Sequence, residues 1–188
     1  MNGHCEDNKS DRELGAYWER QFCTLAASFG KAFTPHQLGK PSSAAAAWSR
    51  ENGEWQHWTL PDVTIWSAPG EHHEIKHKNP TRDGCYGLEK YRLQALIRFA
   101  NTTGQQVLYT IHDWQHAGCA NSRESVANRI DDWFFADVAD LSRSYTRERP
   151  GPSYVNGVRQ SVPIRYWQVP DYFRPLSQLW GPPIRAFS

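Results

Sequence analysis

No stretch of the chain approaches the ~20 consecutive apolar residues of a membrane-spanning helix. The opening MNGHCEDNKSDRELG is polar where a secretory signal would carry an apolar core. Neither membrane insertion nor export is therefore expected, and the location expected is cytoplasmic. Cysteine is scarce and scattered: Cys5, Cys23, Cys85 and Cys119 form no Cys-x-x-Cys pair, so the thiols are read as reduced rather than as a disulfide framework. Charge of one sign is not in excess. The 188 residues carry a net +1, so any basic contact surface has to be local. The absence of a GxxxxGK[ST] loop excludes a P-loop motor. No Ser-His-Asp or Cys-His arrangement stands out, and no internal repeat is present.

What is present suits one soluble domain. Hydrophobic residues make up 39% and charged residues 22%, enough to bury a core at this length. In residues 11 to 30, Leu14, Trp18, Phe22, Leu25 and Phe29 recur at spacings of three and four, which predicts a helix that Gly30 stops. Residues 31 to 54 mix Pro, Gly, Ser and Ala and are expected to loop, with at most one short helix. Three strand-like runs come next, WQHWTL, DVTIW and HHEIKHK, the last two joined by a Pro-Gly turn. Residues 86 to 103 predict a helix ended by Gly104, with Leu88, Tyr91, Ala95, Leu96 and Phe99 inward. QVLYTIH reads as a buried strand, and a further helix is expected near 122 to 141 with Ser122 as its N-cap. The strand–helix–strand step from HHEIKHK to QVLYTIH implies a parallel pair in a mixed sheet. The fold class expected is α/β, a three-layer sandwich with a small mixed central sheet flanked by helices.

The chemistry concentrates in LPDVTIWSAPGEHHEIKHK, residues 60 to 78. Alternation along a strand puts Glu74 and Lys76 on one face with His72 and Lys78, and turns Ile75 into packing. If the neighbouring strand pairs as a hairpin, Asp62 comes close to Glu74. Two carboxylates that near repel unless a cation lies between them. A small oxygen-ligand set suits Mg²⁺ or Mn²⁺. Such an ion, with a lysine two residues away, is what phosphodiester hydrolysis calls for.

Pro61-Asp62, eleven residues, then Glu74-Ile75-Lys76, framed by a helix on either side, resembles the PD-(D/E)XK nuclease superfamily, over roughly residues 11 to 113. The resemblance implies a restriction endonuclease-like fold, with Asp62, Glu74 and the Ile75 carbonyl as metal ligands and Lys76 as the catalytic lysine. It implies an acid on the first helix, best matched by Glu19 and less well by Glu13. It implies a polar residue on the second helix, best matched by Gln94, for which a solvated helix face is the alternative. Lys78, Lys90 and Arg92 are candidates for phosphate contacts, which position a backbone without reading bases.

Weaker signals surround this core. His72 could assist proton transfer or be a neighbour only. His112, His116 and Cys119 succeed one another as H-x3-H-x2-C, a spacing that matches no compact zinc motif. Asp113 reads as a strand terminator. Residues 11 to 141 form the expected core. The tail, 142 to 188, holds seven of the twelve prolines and seven arginines without a lysine, interleaved with aromatics. It is expected to pack on the core or to meet nucleic acid. The leading expectation is a Mg²⁺- or Mn²⁺-dependent nuclease acting on DNA, with RNA not excluded, as a homodimer or with a partner protein. The alternatives are a catalytically silent nucleic-acid-binding or assembly subunit of the same fold, and an unrelated α/β protein carrying the motif by chance.

Overall fold

The computed structural model describes residues 3–36, 46–51, 54–67, 69–119, 127–155 and 158–181. Helix α1 (Gly3–Ser28) is followed by β1 (Phe33–Pro35), β2 (Ala46–Glu51), β3 (Glu54–Thr59), β4 (Val63–Ile65), β5 (Glu71–Lys78) and β6 (Cys85–Glu89). Then come α2 (Lys90–Thr103), β7 (Gln106–Asp113), a 3-10 turn at Ile130–Asp132, β8 (Trp133–Asp137) and α3 (Val138–Arg143). The last described elements are β9 (Arg147–Val155), β10 (Val158–Gln168), α4 (Val169–Tyr172), β11 (Arg174–Pro175) and α5 (Ser177–Trp180).

The central sheet has six strands in the order β1-β4-β5-β7-β8-β11. Only β5 and β7 are parallel, joined through α2, and the other neighbours run antiparallel. A period of two divides the strand side chains between two cores. On one face Val63, Ile65, Ile75 and Trp133 meet the α1 stripe of Trp18, Phe22, Leu25 and Phe29, with Leu176 and Trp180. On the other, Val107, Tyr109 and Ile111 meet Leu93, Leu96 and Phe99 of α2, Val138 and Leu141 of α3, and Trp167. The three-layer α/β sandwich with a small mixed sheet is therefore the observed architecture. Gly104, at φ 67°, ends α2 in the left-handed conformation that glycine adopts without penalty, and its N–H reaches Ala100 O at 2.8 Å.

Several elements differ from expectation. The run WQHWTL does not join the central sheet: β3 pairs with β2 in a separate hairpin, and the third antiparallel strand is β1, inside the segment expected to loop. Residues 85 to 89 are strand, because they pair with β10 from the far end of the chain. Helix α2 consequently buries Leu93 in place of Tyr91, which is 44% exposed. The helix expected over 122 to 141 is replaced over residues 127 to 143 by the 3-10 turn, β8 and α3, since Trp133-Phe134-Phe135 has the aromatic character of a strand and pairs with β7. Ser122 lies outside the described residues. The tail supplies β9 and β10, which join β6 in a second sheet of three strands. It also gives Trp167 and Phe173 to one core and Leu176 and Trp180 to the other. Among the described residues no helix is long and apolar enough to cross a membrane.

Candidate active site

The register explains how the motif residues meet. Val63 of β4 stands opposite His73 of β5, so two further places along, Pro61 faces Ile75. Proline has no N–H to offer, and the Ile75 carbonyl is left without that ladder partner. The Ile75 N–H is taken by the Asp62 carboxylate, Oδ2, at 2.7 Å. Asp62 is thereby fixed beside Glu74, and both are buried, at 3% and 0% exposure.

Two cations answer the two acids. Lys76 Nζ donates to Glu74 Oε1 at 2.5 Å and to the Ile75 carbonyl at 3.1 Å, and lies 3.8 Å from Asp62 Oδ2. Arg92, in the first turn of α2, grips Glu74 with both arms of its guanidinium: Nε to Oε1 at 2.9 Å and Nη2 to Oε2 at 3.0 Å. Its Nη2 also stands 3.9 Å from Asp62 Oδ1. Burial alone would raise the Glu74 carboxyl, but Arg92 and Lys76 outweigh it and hold the group below the usual range. Asp62 has weaker partners. Burial and the Glu74 charge push it up to about 6 against the pull of Lys76, Arg92 and the Ile75 N–H. Burial would lower Lys76, yet the two carboxylates hold it above its ordinary value.

Glu19 approaches from α1. Burial and then Asp62 raise it to about 7, and its Oε2 is buried without a hydrogen-bond partner among the described residues. Glu13 is exposed on the same helix.

Other candidates fall elsewhere. Gln94 is exposed on α2 and has no described hydrogen bond to the cluster. It lies two residues after Arg92, about 200° around the helix, so only one of them can face Glu74. Lys78 donates to Gly87 O at 2.7 Å and lies 5.5 Å from the Tyr109 ring centre. Burial brings it down to about 8. Lys90 pairs with Glu148 of β9 at 3.2 Å. Arg92, expected as a phosphate contact, is engaged with Glu74. Nothing in the sequence signals that partnership, because Arg92 also suits a phosphate at a helix start.

The histidines are engaged in packing. His72 bonds Thr64 Oγ1 at 2.8 Å through Nδ1 and Gln105 Oε1 through Nε2. His73 bonds Thr110 and Glu71. His77 and His112 meet through Nδ1 atoms 3.0 Å apart and stack on Trp18. His116 packs edge-on against Phe134. Asp113 accepts from Tyr86 and from the amides of Gln115 and His116, which closes the strand with a turn.

The donor set fits a hard cation. Asp62, Glu74 and the Ile75 carbonyl supply three oxygens, and the Lys76 ammonium already touches two of them and lies near the third. Among the described residues no group of three His, Cys, Asp or Glu side chains is arranged around a metal position. The cradle thus rests on two carboxylates and a carbonyl, with the ammonium having to withdraw for an ion to enter.

No family model matches the chain, and no curated protein does. Among solved structures, a Holliday junction resolvase, Hjc of Archaeoglobus fulgidus, is similar at 13% identity and a TM-score of 0.41, over 86% of this chain and 93% of that one.

Proposed function

We propose that the chain is a nuclease of the PD-(D/E)XK superfamily, hydrolysing phosphodiester bonds in DNA with Mg²⁺ or Mn²⁺. The observation that carries the reading is the convergence of Glu74, the Ile75 carbonyl and Asp62 on the Lys76 ammonium. A positive group rests against Glu74, Ile75 O and Asp62, the three ligands that the sequence pattern names, and Glu19 leaves a buried oxygen unpartnered nearby.

Asp62, Glu74 and the Ile75 carbonyl would hold the divalent ion, which would supply Lewis-acid polarisation of the phosphoryl group and neutralise charge on the leaving oxygen. The chain's own residues do the rest. Lys76, 32% exposed at its side chain against 14% for Arg92, can reach outward to orient a water or steady the phosphorane-like charge. Arg92 keeps Glu74 ionised and fixed in rotamer through its two-armed grip, a positioning role. The Asp62 contact to the Ile75 N–H sets the direction of the neighbouring carbonyl.

A second reading has its own support. Lys76 and Arg92 already pair with the two buried carboxylates, so Asp62 and Glu74 have cationic partners without a metal, as a silent nucleic-acid-binding or assembly subunit requires. One assay separates the two. The protein is incubated with single-stranded, double-stranded and branched DNA and with RNA, with and without Mg²⁺ or Mn²⁺. Lys76→Ala and Asp62→Ala are run beside the wild type. Metal-dependent cleavage lost in both variants is expected. Binding with no cleavage of any substrate under any condition favours the silent subunit.

A further inference from the structure

The hairpin of β9 and β10 does more than close a sheet. β6 pairs with β10 only from Ile164, opposite Glu89, to Gln168, opposite Cys85. The rungs from Pro163–Pro150 to Val158–Val155 have no third strand. These six rungs form a two-stranded ribbon about 20 Å long at ~3.4 Å each, tied back to β6 where the Ser153 hydroxyl donates to Glu89 Oε1 at 3.2 Å. Val158 is 59% exposed, and Arg159, Gln160 and Ser161 are exposed with it. The ribbon leaves the body beside the site: Glu89, level with its root, precedes α2, which carries Arg92, and Lys78 bonds to Gly87 in the same strand.

Its charge is mostly positive. Residues 147 to 168 contain Arg147, Arg149, Arg159 and Arg165 against the single acid Glu148. Arg147 pairs with Asp83 and Arg165 with Glu148. Arg149 and Arg159 have no carboxylate partner among the described residues. The guanidinium of Arg149, at the root of the arm, lies 4.9 Å from the ring centre of Tyr166. The pairing puts Arg149 and Arg159 on opposite ribbon faces.

Prolines restrict the possible occupant. Pro150 stands opposite Pro163. Neither has an N–H, so that rung is not hydrogen-bonded, and residues 148, 150, 152 and 154 point their amides to the outer edge. Pro150 and Pro152 remove two of those four donors, which obstructs strand addition by a second copy or a peptide. A polyanion needs no such edge. The ~12 Å major groove of duplex DNA admits a two-stranded ribbon, with Arg159 on the ribbon and Arg149 at its root, five rungs apart and on opposite faces, each offered to a phosphate-lined wall.

We infer that this hairpin is a duplex-DNA-binding arm whose Arg149 and Arg159 contact backbone phosphates next to the bond to be cut. The inference rests on the nucleic-acid reading above and extends it. The test is fluorescence-anisotropy binding of full-length protein to a duplex in EDTA, across 50 to 200 mM salt, for wild type, R149A/R159A and R149K/R159K. The alanine pair is expected to weaken binding on the order of tenfold and to flatten the slope of log K against log salt by about two, with the lysine pair restoring both. Wild type that fails to bind duplex, or an alanine pair with unchanged Kd and slope, overturns the arm. So does a change in oligomeric state on sedimentation, which would make the hairpin an interface between copies. Duplex binding that depends on the two arginines, without cleavage in any metal, keeps the arm and removes the nuclease. Cleavage with unchanged binding by R149A/R159A does the reverse.

Discussion

Arg92→Met separates what the arginine does for the fold from what it does for the cradle. Glu74 is fully buried, and its two oxygens take both arms of Arg92 at 2.9 and 3.0 Å. A pair of unit charges about 4 Å apart attracts by ~4 kcal/mol at an effective dielectric of about 20. Removing one partner of such a buried pair costs about 3–5 kcal/mol, because the other charge stays behind unmatched. Lys76 remains against Glu74 at 2.5 Å, which places the expected loss near the lower end, about 3 kcal/mol. For a chain of this size that lowers Tm by about 6–12 °C in EDTA. The same substitution leaves Asp62 and Glu74 under-neutralised and removes a competitor for any incoming cation. Mg²⁺ at about one hundred times its Kd stabilises by ~2.7 kcal/mol, and it should therefore narrow the gap between Arg92→Met and wild type. Thermal denaturation with EDTA and with a Mg²⁺ series measures both effects. A variant melting within about 2 °C of wild type in EDTA, less than one kcal/mol, would show that the grip on Glu74 does not stabilise the fold. A gap that Mg²⁺ leaves unchanged would show that Arg92 does not compete with the ion, and a Tm that Mg²⁺ shifts in neither protein would show that the cradle does not take it.

Other consequences can be checked separately. Burial and then the His77 charge bring His112 down to about 3 from 6.5, so the unfolded chain takes up its proton first as pH falls. Stability should drop from pH 6.5 downward, by about 2 kcal/mol at pH 5, and His112→Phe, which keeps a ring against Trp18, should flatten that part of the pH–Tm curve. In Gly87→Ala the added Cβ would lie 2.8 Å from Tyr166 Cε1 and 3.0 Å from Ile164 Cγ2. The expected cost is about 1–3 kcal/mol, and an unchanged Tm would mean that the Tyr166 ring swings aside freely. A chain ending at residue 141 lacks Trp167, Phe173, Leu176 and Trp180 of the two cores. We predict that it does not fold, and a dispersed amide NMR spectrum from it would overturn that prediction.

The legible parts of this fold were those with local causes. The α1 stripe, the parallel β5 and β7 and the glycine stops at 30 and 104 follow from periodicity and backbone freedom. The shared face of Glu74 and Lys76 follows from a period of two. β6 was hidden because its reason to be a strand is β10, far along the chain, while Leu88 fits the helical spacing of α2. β8 was hidden by its acids. Asp132 pairs with Arg129, and Asp137 caps α3 and accepts from Gln106, partners that come from the folded structure, while in sequence the segment fits the helix expected near 122 to 141. Arg92 was visible as a basic residue at a helix start, but its carboxylate comes from a strand on another layer. Gln94 lies about 200° round α2 from Arg92, the residue that reaches Glu74 of β5, and its side chain is exposed.

Trp180 sets a delay on the molecule's assembly during synthesis. Its indole N–H donates to Glu71 Oε2 at 3.1 Å, and its ring lies against Phe22 and His73. Glu71 and Trp180 are 109 residues apart. At ribosomal speeds of about 5–20 residues per second, the strand bearing Glu74 emerges roughly 5 to 20 s before the side chain that seals its far face. Until Trp180 arrives, Glu71 and the ring edges of Phe22 and His73 lack the partner that covers them in the finished fold.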